Sequence, residues 1–288
     1  MNIKWKAAEL RRQLVSGQWS EESGQMALWI GWGGNFLLGW ILASARILQN
    51  FGPFGVAITA QAGAGIGGLL CALGASVGYL LSFGFTRGIQ YVSAVVLVFT
   101  AGYVFQELKL YKQTWFMPCL ASLFTLLAGF LGAVDGMDLS SLVLPLLTET
   151  ILAGGSAYFF RIALSAEPRQ TEGAELRHGI SLFLLSACVL IALERAELFG
   201  FLSLGRLAAV LLVMAAACKG GPLSGAAAGI ALGMAMDIAA GGTPCYSAAY
   251  AFSGLISGLF SRHRRLVFVL SSVLANAASV LWSARSGL

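Results

Sequence analysis

Charged side chains are scarce in this sequence, where Asp, Glu, Lys and Arg together make up 11% of the 288 residues. A soluble domain of this size needs roughly a quarter of its residues charged to keep its surface in water. Hydrophobic residues instead make up 58% of the chain, and the mean hydropathy is +0.80. The composition therefore excludes a water-soluble domain and indicates that lipid is the solvent around most of the chain.

Side chains suited to catalysis or metal binding are also few. The two histidines, His178 and His263, lie in basic loops beside arginine, and no nucleophile or metal cluster surrounds them. The five cysteines are spread one to a hydrophobic segment, without metal-ligand or redox spacing. A membrane-embedded enzyme is the weakest interpretation, because no paired acids, His cluster or Ser–Lys pair can be placed together. We expect no catalytic residue, metal or other cofactor in this chain.

Hydrophobic segments of helix length are abundant. A spanning helix needs about 20 apolar residues, and in lipid a helix satisfies its own backbone hydrogen bonds. The candidate segments are residues 25–45, 54–83, 88–106, 115–134, 141–160, 178–193, 202–218, 221–239, 245–260 and 266–284. The sequence predicts an all-α, polytopic transmembrane helical bundle of about 10–11 membrane segments at residues 25–288. A basic cytoplasmic tail is expected at residues 1–24.

The basic residues predict an orientation in the plasma membrane, because loops rich in Lys and Arg stay inside. Thirteen of the 18 lie in the N-terminal tail and in loops near residues 109–112, 161–177, 219 and 262–265. These loops share one side only if segment 54–83 crosses twice, or enters and leaves as a broken pair around Gly63 and Gly65. We therefore predict eleven traverses, with the N-terminus cytoplasmic and Leu288 outside. The net charge of +5 faces anionic lipid headgroups and does not indicate a nucleic-acid partner.

A weak internal repeat fits the same topology. The first copy begins with residues 45–48 and continues through a glycine-bearing apolar stretch to a small-residue helix. All three parts have counterparts, in the same order, from residue 196 onward. Each copy leads into a segment that contains a tyrosine, at Tyr91 and at Tyr250. The pattern predicts two half-repeats, at about residues 25–165 and 178–288, the second lacking its last helix.

Glycine recurs at every fourth position of one segment, and an acid ends the series: Gly221, Gly225, Gly229, Gly233 and Asp237. On a helix this spacing makes a smooth groove, and small residues let helices approach closely in lipid. Gly254 and Gly258 form a matching small-residue face in the next segment. We expect these faces to pack helices within one subunit. Self-association between chains and a ligand path along the groove remain alternatives.

Three charged residues belong to or border the hydrophobic segments: Glu149, Asp237 and Arg206. An ionised side chain at the bilayer centre costs at least about 2.5 kcal/mol, so it usually marks a pathway or a pair. Asp237 is near the end of its predicted helix, whereas Glu149 is the better candidate for burial. Glu149 is expected to be protonated or to pair with Arg206 or another basic group, with proton or substrate coupling as the alternative.

Three stretches together resemble a known family. They are ARILQNFGPFGVA at residues 45–57, GPLSGAAAGIALGM at 221–234, and AYAFSGLISGLF at 249–260 followed by a basic loop. Their order and spacing resemble the N-terminal membrane region of stage II sporulation protein E from endospore-forming bacteria. The similarity extends over about residues 25–285.

The resemblance implies a membrane region that anchors a cytosolic linker and a metal-dependent serine phosphatase at the asymmetric division septum. There the family engages the tubulin-like cell-division protein. Because this sequence ends at Leu288, the linker and the phosphatase, with its manganese or magnesium, are expected to be absent. The expected function is therefore a non-catalytic anchor and assembly domain at the septal membrane, acting through helix packing together with self-association of the chain.

A small-molecule transporter or channel with a midplane site is the alternative function. Repeat halves, a broken hydrophobic segment and intramembrane acids are typical of such proteins. A polar cavity lined by Glu149 and Gln61 would favour the transporter, whereas a core packed through glycine would favour the anchor.

Overall fold

The computed structural model describes residues 29–47, 51–133, 139–165, 172–194, 197–198, 202–240, 244–261 and 265–286. The predicted basic tail at residues 1–24 lies outside the described residues. The helices are α1 at residues 29–44, α2 Phe54–Gln61, α3 Ile66–Phe105, α4 Phe116–Ala133, α5 Leu139–Leu164, α6 Glu172–Leu193, α7 Leu204–Ala239, α8 Cys245–Leu259 and α9 Arg265–Ser286. A 3₁₀ helix at Lys109–Lys112 joins α3 to α4, and two short antiparallel strands, Glu197–Leu198 and Leu202–Ser203, precede α7. The predicted all-α helical bundle is confirmed.

Among the residues that the structure describes, four helices are long and apolar enough to cross a membrane, by length and composition: Ile66–Phe105, Val143–Leu164, Gly173–Leu193 and Leu204–Ala239. The bundle turns large apolar side chains outward, including Phe85 at 76% exposure and Leu131 at 75%. Water would penalise such a surface, whereas lipid accommodates it. The fold is therefore that of a helical membrane protein.

The helix α3 is folded back on itself at Gly84, whose φ of +73° favours glycine. In a straight helix Tyr79 and Tyr91 would be separated by about 18 Å along the axis. Instead their rings stack with centroids 4.6 Å apart. A Cβ added to Gly88 would also lie 3.1 Å from the Cα of Leu80. α3 is thus a hairpin with a first arm before Gly84 and a second arm after it.

The helix α7 reverses in the same way at Gly221, whose φ is +72°. A Cβ added to Gly225 would lie 2.7 Å from the Cβ of Ala217, although eight residues of straight helix span about 12 Å. Pro222 follows the reversal, where the first turn of a new helix tolerates its missing N–H. The reversal separates the two segments predicted at residues 202–218 and 221–239.

The ambiguous segment 54–83 is a broken pair of helices. α2 ends at Gln61, Gly63 has a φ of +78°, and α3 begins at Ile66. The eight residues of α2 extend about 12 Å, which is too short to cross a bilayer. All but the last of them are buried, and α2 packs against α3, α4 and α5. The first helix of the pair is therefore a short buried element inside the bundle.

Candidate functional site

The N-terminal end of α2 is held by five residues that we call the tyrosine–glutamate network: Gly52, Val56, Tyr79, Tyr91 and Glu149. The Tyr79 hydroxyl accepts from the Val56 amide at 3.0 Å and donates to the carbonyl oxygen of Gly52. The Tyr91 hydroxyl accepts from the Gly52 amide at 3.2 Å and donates to Oε1 of Glu149. Side chains from two distant segments thus satisfy three backbone groups where α2 begins, and the Tyr79 side chain that bonds two of them is fully buried.

The reversal at Gly84 brings the two tyrosines of this network together, one from each arm of α3. Phe83 packs against both rings, at centroid distances of 5.9 Å from Tyr79 and 5.0 Å from Tyr91. Gly52 fits because a Cβ there would lie 2.6 Å from the Phe83 ring. α2 has no side-chain cap of its own, since Pro53 occupies its N-cap position. The tyrosines therefore replace the missing cap.

Glu149 is partly buried in α5 and receives its hydrogen bond from Tyr91 rather than from a basic side chain. The exposed Arg87, just after the Gly84 reversal, acts on it electrostatically without a direct ion pair being present. The pairing with Arg206 that the sequence suggested for Glu149 is not present. Over the described ranges, no three His, Cys, Asp or Glu side chains are grouped to hold a metal ion.

Gln61 lies at the other end of α2, and its Nε2 atom is buried without a hydrogen-bond partner. Glu149 belongs to the N-terminal end through Tyr91 and Gly52. The length of α2, about 12 Å, separates the two ends. The structure does not bring Glu149 and Gln61 together.

Asp237 lies in the last turn of α7, with 6% of its surface exposed. Its carboxylate accepts from the amides of Tyr246 at 2.7 Å and Ser247 at 3.0 Å, at the start of α8. The first amides of a helix have no partner within the helix, and a negative charge there is favourable. Asp237 therefore caps α8 from a neighbouring helix, near a helix end as predicted from the sequence.

Arg206 lies at the start of α7, where its Nη2 is 3.1 Å from Oε1 of Glu194. Its side chain is 48% exposed, and its guanidinium lies 5.1 Å from the centre of the Tyr246 ring. The partner of Arg206 is thus an acid at the end of α6. This contact and the Asp237 cap meet at Tyr246, so they form one polar cluster that orders the start of α8.

Three glycines of α7 lie against the backbone of α8, and we call this contact the glycine interface. An added Cβ would clash with the Gly254 carbonyl at Gly225, with the Tyr250 carbonyl at Gly229, and with Ser247 Cα at Gly233. Gly258 meets the backbone of Gly221 and Pro222 in the same way. Among the helices from α2 to α9, no other pair packs as extensively as α7 and α8.

Gly221 has a role that differs from the one expected from the spacing. Its positive φ makes the reversal, and a Cβ there would meet nothing within 4 Å. The glycine series therefore begins at a turn, and only its later members form the helical groove. Sequence reasoning also missed Tyr79 and Gly52. The signal in the sequence was a pair of tyrosines, Tyr79 and Tyr91, on either side of Gly84.

Replacing Asp237 with alanine is expected to lower the free energy of unfolding by about 2–4 kcal/mol. Two amides would lose their acceptor, and each buried unsatisfied group costs about 1–3 kcal/mol. Titration of the detergent-solubilised protein with a denaturing detergent, followed by circular dichroism, measures the change. Asp237→Asn keeps one carbonyl acceptor and should lose less. Wild-type stability of the alanine variant would show that the two hydrogen bonds are dispensable.

Comparisons with known proteins provide no relative for this arrangement. The chain matches no protein-family model, and searches of curated proteins and of solved structures return no match. Proposals about its function consequently rest on its own residues and fold.

Proposed function

We propose that the chain is the non-catalytic membrane anchor and assembly domain of a sporulation serine phosphatase, which it positions at the asymmetric division septum. The observation that carries this proposal is the glycine interface. Two of the three stretches that resemble the family, at residues 221–234 and 249–260, pack against each other there, backbone to backbone. The third, at residues 45–57, leads into the buried helix α2 and supplies Gly52 and Val56 of the tyrosine–glutamate network.

The packing of the core favours an anchor over a transporter. The described polar groups of the tyrosine–glutamate network are each other's partners, and Asp237 is occupied by two amides. Glu149 and Gln61 lie at opposite ends of α2 instead of lining one passage. Rigid packing suits a domain that transmits position to an attached effector. The buried, unpartnered Nε2 of Gln61 beside the break between α2 and α3 is the observation that keeps the transporter as a second candidate.

The proposed orientation follows from the order of the helices. We count eleven proposed passes, of which the one made by α2 is incomplete because that helix is too short to cross. They are α1, α2, the two arms of α3, α4, α5, α6, the two arms of α7, α8 and α9. The joints at Lys109–Lys112 and at Gly221 beside Lys219 then face the same side as the start of α1. We assign that side to the cytoplasm of the plasma membrane by the rule for positive charge. The resemblance implies that the metal-dependent phosphatase and the tubulin-like division protein act on that side of the membrane.

A fluorescent fusion of the chain, produced in a sporulating endospore-forming bacterium, tests the proposal. The fusion is expected to concentrate at the asymmetric septum, whereas an unrelated multi-pass protein with the same tag labels the whole membrane. The two distributions are compared as ratios of septal to lateral fluorescence. A folded fusion that is spread evenly over the membrane would contradict septal anchoring and leave the transporter as the better candidate.

A further inference from the structure

The joint between α3 and α4 carries the marks of a segment that lies in the membrane interface. Leu108, Leu110 and Trp115 are about half exposed, at 46%, 47% and 53%. Lys109 and Lys112 alternate with them and are also exposed. Apolar side chains and tryptophan at such a joint enter the acyl region, while lysine ammonium groups remain at the level of the lipid headgroups.

Arg161 attaches this joint to the end of α5. Its Nη2 donates to the carbonyl oxygens of Tyr111 at 3.1 Å and Lys112 at 3.3 Å. The Tyr111 side chain packs against the core at the same place. The 3₁₀ helix is therefore held against the bundle, and its two lysines are presented in a defined position.

The start of α6 adds another cation to this end of the bundle. Nδ1 of His178 lies 2.9 Å from the carbonyl oxygen of Ile162, so the second turn of α6 borders the last turn of α5. Arg177 precedes His178 and is exposed. Four cations from three elements thus meet at one end of the bundle: Lys109, Lys112, Arg161 and Arg177. The described acids close in sequence to them are three, Glu107, Glu172 and Glu175, which leaves a net excess of one positive charge.

We propose that this surface, which we call the basic joint, binds the headgroup of an anionic phospholipid in the adjoining leaflet. A phosphate that carries net negative charge can accept from the two lysine ammonium groups while its acyl chains lie beside Leu108, Leu110 and Trp115. A zwitterionic headgroup has no net charge to match the excess of cations. The inference requires only that the bundle lies in a bilayer, and it stands independently of septal anchoring.

Native mass spectrometry of the full chain in detergent, titrated with phosphatidylglycerol or phosphatidylcholine, tests the basic joint. The double variant Lys109→Gln, Lys112→Gln is expected to bind phosphatidylglycerol roughly 25-fold more weakly, because each surface lysine contributes about fivefold. The variant Lys109→Arg, Lys112→Arg should retain the affinity. The control is Arg87→Gln, Arg285→Gln, which removes the same charge from exposed positions about 27 Å or more of helix away from the joint. Its affinity for phosphatidylglycerol should equal that of the wild type.

Any one of four results would overturn the proposal. Phosphatidylcholine could bind as tightly as phosphatidylglycerol, or the glutamine double variant could keep wild-type affinity with an unchanged melting temperature. Inorganic phosphate could displace phosphatidylglycerol completely at equal concentration, which would indicate a site for free anions. If the glutamine variant melts at a lower temperature than the wild type, the arginine variant provides the test instead. An arginine variant that keeps its stability but loses its affinity for phosphatidylglycerol would also contradict the proposal.

Discussion

Replacing Gly229 with alanine is expected to lower the free energy of unfolding by about 3 kcal/mol. The added methyl group would overlap the carbonyl of Tyr250 and lie 2.7 Å from the amide nitrogen of Ala251. Overpacking usually costs about 1–3 kcal/mol, and the upper end applies because backbone atoms of α8 cannot rotate away as a side chain can. Denaturant titration of the purified protein in detergent measures the loss.

The matched control is Gly155→Ala, in an apolar stretch of α5. A Cβ at Gly155 would meet nothing within 4 Å, so the substitution introduces no clash. Alanine is the better helix former by about 0.5–1 kcal/mol, so this variant should be as stable as the wild type or slightly more stable. If both alanine variants behave alike, the glycine interface is not what holds α7 to α8.

The same pair of variants separates packing within one chain from association between chains. The faces at Gly225–Gly233 and Gly254–Gly258 cover each other inside a single subunit. Gly229→Ala should therefore unfold the protein without first converting a larger assembly into a smaller one. Size-exclusion chromatography with light scattering records the mass. A folded variant with a reduced oligomer mass would instead assign the glycines to self-association.

Replacing Tyr79 with phenylalanine is expected to cost about 2–4 kcal/mol, although the two side chains differ by one oxygen atom. The ring would stay in its stack with Tyr91, but the Gly52 carbonyl and the Val56 amide would lose their shared partner. Each buried unsatisfied group costs about 1–3 kcal/mol, and Tyr79 and Val56 are both fully buried, so bulk solvent does not reach the site of the lost hydroxyl. The stability difference is measured by the same denaturant titration.

Tyr103→Phe is the control for this substitution. Tyr103 lies in the second arm of α3 with 58% of its surface exposed, so loss of its hydroxyl should change stability by less than about 0.5 kcal/mol. Protease digestion near Gly52 gives a second measurement, since release of α2 should expose that backbone. Equal stability of the two phenylalanine variants would mean that Tyr79 does not hold α2.

Much of the fold could be predicted from local features of the chain. Helix-length apolar runs predicted the helices, because lipid leaves the backbone no other partner than itself. The glycines at 63 and 65 predicted the break before α3, where Gly63 adopts the positive φ that other residues avoid. The positions of lysine and arginine predicted joints at Lys109–Lys112 and near Lys219, and the structure has a chain reversal at both.

The candidate site could be predicted only in part, because its contacts join residues far apart in the chain. Glu149 was recognisable as an acid in an apolar segment, but its bond to Tyr91 exists because Gly84 folds α3 back and α5 packs beside it. Arg206 could equally have paired with Glu149 as far as charge was concerned. The strands before α7 place it beside Glu194 instead.

The amino-acid sequence by itself determined that the chain is a bundle of apolar helices, and where most of those helices begin and end. Composition and segment length are sufficient for this, since the transfer of each segment into lipid depends on its own residues. Only the tertiary structure decided which polar groups satisfy one another and which glycines touch backbone. Those choices depend on distances across the bundle. Close packing sets these distances to within a fraction of an ångström, whereas a hydropathy pattern carries no information about them.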